Sequence, residues 1–341
     1  MQKIIRLQLP ELTKSIDTLA GYLKVLYHTD RVNLVSLKKI KAYKIDRRNG
    51  VYKSTFFINH KKQVYYLKFY FRWDDPDIAQ KEFSILSQIH DKDAHTVVKP
   101  IISFNKFRCL VTEEFKGYKV KDLIRAYSIF GSPPRRMKTL HAIIIAYVKT
   151  VIRYLSITTN HSEAILDRVT LEQEVLEKLK FFHDKGIIDG RERKNLLRRF
   201  DERQVGIHKK QFPRCANNAD IGIENALTNY SKVVLHDFED ITYGTACHDF
   251  VIGYLSLRYL TLNPLVKKKM IFELEDLFMR EIKNSELYDA SLFNFFTMIH
   301  TLRHLFWTYK IRKSPIRRSV RDIFFHQLRM NYYRQLLLSG L

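Results

Sequence analysis

Leu12, Ile16, Leu19, Leu23 and Leu26 recur at three- and four-residue steps and predict a helix over about residues 8–28. The period then changes. Residues 32–71 are rich in β-branched and aromatic side chains, broken by Arg47-Arg48-Asn49-Gly50 and by Asn59-His60-Lys61-Lys62. Two turn signals between three such runs predict an antiparallel meander. Asp75-Pro76 reads as a helix start, with Asp as N-cap and Pro at the first helical position. Ile78, Ile85, Leu86 and Ile89 then share one helical face, and two strand-like pieces follow at 97–104 and 108–112.

Beyond Glu113 the pattern is mainly helical. Leu140, Ile143, Ile144, Tyr147, Val148, Val151, Ile152 and Leu155 form the broad apolar stripe of a buried helix. Residues 160–212 read as charged helix, with Leu171, Val175, Leu179 and Phe182 on one side. A strand-rich island at 215–243 interrupts the helices, which resume to the end. The expected class is α+β: a helical extension over 1–30, a small antiparallel-sheet lobe over 31–113, and a helical lobe over 114–341.

Four places in this pattern carry chemistry. Alternation puts Val64, Tyr66, Lys68 and Tyr70 on one face of the third strand, and a lysine there suits the phosphates of ATP. Glu82 lies on the apolar face of the following helix, where a carboxylate is costly unless it meets a cation. Lys68 is its expected partner. Asp220 and Asn225 are spaced as kinase catalytic loops require, the Asp for the attacking hydroxyl and the Asn for a metal ion. Asp237 ends the strand-like run KVVLH, where a second metal ligand is expected, and its hard oxygens suit Mg2+. A short hairpin between Asn225 and Asp237 would bring the two together.

Here a resemblance can be named. The stretch DIGIENAL…VVLHDFEDITYGTACHDFVIGYL resembles the aminoglycoside phosphotransferase and choline kinase-like family, over roughly residues 35–255. The resemblance implies a two-lobed protein kinase-like fold and transfer of phosphate from ATP, with Mg2+, to an alcohol hydroxyl. It implies Asp220 as catalytic base or hydroxyl-positioning acid, Asn225 and Asp237 as metal ligands, and Asp249 as an acid supporting the loop. Residues 109–117 resemble the hinge that holds adenine, which assigns Glu113 and Phe115 to the nucleotide alongside Lys68 and Glu82. Asn218 stands where the family has His, Ala219 where it has Gly, and Glu224 where it has a small residue. The turn RRNGVYKS carries only Gly50 where some kinases have several glycines.

Charge narrows the partners. Fifty-nine Lys and Arg against 36 Asp and Glu give a formal net charge of +23, more than one triphosphate requires. A field of that sign favours a neutral or anionic acceptor, such as a sugar, a phosphosugar or a cell-envelope saccharide. That is similar to the bacterial kinases of lipopolysaccharide core sugars. The interleaved Phe324, Phe325, Leu328, Tyr332 and Leu336 with Arg318, Arg321, Arg329 and Arg334 read in two ways: a helix lying on anionic membrane, or one packing its apolar side on the lobe. No nucleic-acid-reading motif accompanies the charge. The rival class is a catalytically inactive kinase-like binding module.

Cys109, Cys215 and Cys247 are far apart and odd in number, which predicts buried thiols rather than disulfides or zinc. The start lacks a signal-peptide core, and the apolar run at 142–148 is short for a membrane span. A cytosolic protein, able to touch the inner membrane face, is the expectation.

Overall fold

The computed structural model describes residues 9–40, 49–70, 75–129, 134–164, 168–205, 207, 211–218, 220–239, 241–313 and 320–339. In chain order the first elements are α1 (Leu9–Leu26), β1 (Val32–Ile40), β2 (Asn49–Ile58), β3 (Lys61–Tyr70), α2 (Ile78–Lys92), β4 (Pro100–Phe104), β5 (Cys109–Glu113) and β6 (Tyr118–Lys119). Then follow α3 (Val120–Ile129), α4 (Pro134–Thr158), β7 (Asn160–Ala164), α5 (Arg168–Asp184), α6 (Gly190–Val205) and β8 (Phe212–Asn218). The chain finishes with β9 (Ala226–Thr228), β10 (Val233–Leu235), β11 (Ile241–Gly244), α7 (Ala246–Arg258), α8 (Lys268–Lys283), α9 (Ala290–Lys313) and α10 (Val320–Ser339). It divides into two compact units: residues up to Tyr118 with Leu227–Ile241, and Lys119–Ala226 with Thr242–Leu341.

In the first unit the meander forms as the alternation predicts. The sheet runs β1-β2-β3-β5-β4, and its neighbouring strands pair antiparallel. Leu12, Ile16, Leu19 and Leu23 of α1 join Phe56, Tyr65, Leu67, Phe69 and Val111 in one buried cluster. The N-terminal helix is therefore one wall of this core. Ile78, Ile85, Leu86 and Ile89 of α2 are buried too.

The start of α2 differs from the sequence reading. Asp75 is not its N-cap: Asp75 Oδ1 instead accepts from the N–H of Asp77 at 3.1 Å, closing a local turn, and the helix begins at Ile78 with Asp77 as cap residue. An Asp side chain competes for nearby backbone donors in this way. Arg47 and Arg48 of the first turn signal lie outside the described residues.

The second unit is mostly helical. Leu140, Ile143, Ile144, Tyr147, Val148, Val151 and Leu155 of α4 are buried, as are Val175, Leu179 and Phe182 of α5. By length and composition α4 would also pass for a membrane span, but this apolar stripe lies inside the unit. Strand β7, inside the stretch expected to be helical, pairs antiparallel with β8. Its sequence, NHSEA, has no alternation to announce it. On α10, Met330, Tyr333, Leu336 and Leu337 are buried, which favours packing on the lobe; the side chains of Arg318, Arg321, Phe324 and Phe325 lie outside the described residues. All three cysteines are free and buried.

Candidate functional site

β3 delivers Lys68 to one face of its sheet, and Glu82 reaches it from α2. Lys68 Nζ lies 3.1 Å from Glu82 Oε2, so the ion pair expected from the two periodicities is formed. Glu82 is 2% exposed, and a carboxylate so placed needs every lone pair answered. Tyr70 donates its hydroxyl to Glu82, and the N–H of Phe238 donates to Oε1 at 2.9 Å.

The same ammonium also meets two acids from the segment after β10. It is paired with Asp237, and Glu239 Oε2 is 3.4 Å away. Burial alone would lower the lysine's pKa; Glu82, Asp237 and Glu239, with the Tyr70 hydroxyl, hold it well above the usual range. Lys68 is thus a fixed cation. Burial raises the pKa of Glu82 despite the opposing pull of Lys68. Asp237 has φ +70°, a left-handed conformation that Asp tolerates at a cost of roughly 1 kcal/mol. Tyr70 and Glu239 complete this cluster, although the motif reading had singled out neither. Their signals were the alternation that set Tyr70 beside Lys68 and the second acid of the Asp-Phe-Glu run.

The chain leaving β5 carries the other two nucleotide candidates. Glu113 pairs through its carboxylate with Lys99 at 3.1 Å, and the ring of Phe115 lies 5.5 Å under Lys232 Nζ. The N–H groups of Glu113 and Glu114 are spent on Lys99 O and Val64 O. Gly117 is required by close approach: a Cβ there would stand 2.5 Å from Thr228 O and 2.6 Å from the Phe115 ring.

In the second unit, Asp220 and Asn225 are brought together by a tight loop. Asn225 Nδ2 donates to Asp220 O at 2.7 Å and to Asp220 Oδ2 at 2.9 Å. The amide nitrogen is committed to Asp220, so its Oδ1 is the atom left as a hard ligand. Asp220 is exposed, while Asn225 is buried. Asn218 Oδ1 accepts from the N–H of Asp220 at 3.2 Å, and its own N–H donates to Asp249 Oδ2 at 2.9 Å. Tyr147 Oη donates to Ile221 O at 2.7 Å, and the N–H of Ile223 donates to Ser256 Oγ at 3.1 Å. The asparagine in the histidine's place therefore serves the loop as a cap. Glu224 is half-buried and folds over Gly222: a Cβ on that glycine would meet its Oε2 at 2.7 Å. Ala219 lies outside the described residues. Asn225 and Asp237 belong to different units.

Among the described residues no three His, Cys, Asp or Glu side chains form a metal cage. Taken singly, Asn225 Oδ1 and the Asp237 carboxylate are hard oxygens, the ligand type that a magnesium ion takes beside water and phosphate.

No family model matches the chain, and no curated protein matches it by sequence. Its fold has solved counterparts. A choline/ethanolamine kinase family protein from Mesorhizobium loti aligns over 95% of this chain and 98% of its own, at 11% identity and a TM-score of 0.57. An amicoumacin kinase solved with AMP-PNP, Ca2+ and Ami aligns over 96% of each chain, at 15% identity and a TM-score of 0.55. The gentamicin complex of an aminoglycoside phosphotransferase, APH(2")-IIa, aligns over 98% and 99%, at 10% identity and a TM-score of 0.53. The chain has the protein kinase-like fold of the small-molecule kinases.

Proposed function

We propose that this chain is an ATP- and Mg2+-dependent phosphotransferase acting on a hydroxyl of a small molecule, sugar or cell-envelope saccharide. The observation that carries the reading is Lys68, held as a cation by a buried Glu82 with Asp237 and Glu239 at its ammonium. A lysine so fixed is a phosphate anchor, and Glu82 and Tyr70 orient it. Glu113 and Phe115 belong to the base-binding segment, in which the N–H groups of Glu113 and Glu114 are committed to Lys99 O and Val64 O.

Asp237 and Asn225 would hold Mg2+, which when bound neutralises phosphate charge. Asp220 orients the acceptor hydroxyl and takes its proton as the O–P bond forms and the bond to the leaving diphosphate breaks. Its exposure leaves it open to an acceptor, and the bond from Asn225 fixes its carboxylate. The net charge of +23 supports a neutral or anionic acceptor, and an anionic bilayer surface as a second partner.

The test is γ-labelled ATP with Mg2+ and a panel of acceptors that includes envelope extracts. Label should appear in one product class and be lost, by roughly 10²–10⁴-fold in rate, in Asp220→Asn, while nucleotide still binds. Label in no product, with Asp220→Asn indistinguishable from wild type, sinks the proposal.

A further inference from the structure

The acid beneath the Asp220 loop has an unusual neighbour. Asp249, in the first turn of α7, is 0% exposed, and three groups face its carboxylate. The N–H of Asn218 donates to Oδ2 at 2.9 Å, Nδ1 of His248 lies 3.2 Å from Oδ1, and the Tyr154 hydroxyl, which donates to Ala216 O, is close enough to lower the carboxyl's pKa. Of these three, only the imidazole can carry positive charge. A buried carboxylate answered by neutral donors alone bears most of its desolvation cost, and a cation in contact offsets it.

α9 walls in the histidine. Phe296 and His300 meet the His248 ring edge-on, with centroids 5.6 Å and 4.4 Å away. Burial, with His248, Arg303 and His304 nearby, holds His300 well below the usual imidazole range. From His248 a continuous path reaches the catalytic candidate: Asp249 Oδ2 to the Asn218 N–H, then Asn218 Oδ1 to the Asp220 N–H at 3.2 Å.

We infer that His248 is a positioning residue: its imidazole, 3.2 Å from Asp249 Oδ1, holds that carboxyl group in place, and through Asn218 it fixes the backbone that carries Asp220. This rests on the phosphotransferase reading for its catalytic consequence, but not for the structural link itself. A histidine that merely fills space between α7 and α9 would be replaced without loss by phenylalanine.

Two variants and two readouts test it, on the full chain. His248→Phe keeps the ring packing and removes the polar nitrogens. His248→Asn keeps a polar group toward Asp249 and removes the imidazole. Hydrogen–deuterium exchange of the segment 216–225, measured without nucleotide, should quicken at least tenfold in the Phe variant and about threefold in the Asn variant. The rate constant kcat should fall by more than about 30-fold and about 10-fold respectively, with KM for ATP within threefold of wild type. That order, Asn rescuing what Phe loses, is opposite to the order expected of a space-filler. If the Phe variant does not fold, the Asn variant decides, and unchanged exchange and kcat in it overturn the inference. Slow exchange in a folded Phe variant overturns it whatever the activity. A wild type that transfers no phosphate, with exchange quickened in the Phe variant, refutes the reaction and upholds the link.

Discussion

Glu275 on α8 is 6% exposed, with Oε1 buried and unpartnered among the described residues. Burial, eased by Arg258 and reinforced by Asp276, raises its pKa from 4.5 to about 7. A carboxyl whose folded pKa lies above the unfolded value contributes its full stability below pH 4.5 and loses it as pH rises through about 7. Glu275→Gln should therefore be more stable than wild type at pH 8, by about 1–2 kcal/mol, and little different at pH 4.5. Urea unfolding at the two pH values reads this directly. Equal effects at both would mean that the carboxyl is neutral or well solvated throughout. Lys68 was legible at the same scale for a related reason: a charged residue among apolar periodic positions must find a partner, and the helical period supplied Glu82.

At the scale of elements, α1 is the clearest gain over the sequence. Its apolar stripe predicted a helix but did not say what the stripe covers. Leu19 and Leu23 are fully buried against the sheet face carrying Phe56, Tyr65 and Leu67. Leu19→Ala should cost about 2–5 kcal/mol and weaken nucleotide binding by loosening the sheet that holds Lys68. A denaturant midpoint shifted only slightly would show that α1 is peripheral. Local signals also explain what was not legible. β6 has two residues and β7 five without alternation, so neither has a period to detect. Asp237 and Glu239 meet a lysine some 170 positions earlier in the chain, and no local pattern encodes such a contact.

Across the whole molecule, the excess of 23 positive charges exceeds anything the Lys68 cluster, itself acidic, can account for. The buried Tyr333, Leu336 and Leu337 remove much of the apolar side of α10 as a membrane anchor. Any contact with an anionic surface then runs through exposed cations. Sedimentation with anionic vesicles should be strong at low salt, should fall at least tenfold between roughly 50 and 300 mM salt, and should be absent with neutral vesicles. Salt-resistant binding to neutral vesicles would point to apolar insertion instead.

Three carboxylates around one ammonium leave the Lys68 cluster with a formal charge of −2. A bare nucleotide, itself polyanionic, approaches against that charge and must compete with Asp237 for the lysine. In the proposed reaction a divalent cation would remove both obstacles, so the metal would enter with the nucleotide or before it. The same balance gives Asp237→Asn two opposite effects. It should weaken Mg2+·ATP binding, yet strengthen binding of metal-free ATP in EDTA by at least ~3-fold, because one repelling charge has gone. Titrations of wild type and Asp237→Asn with and without EDTA separate these effects, and a loss under both conditions would rule out competition for the lysine.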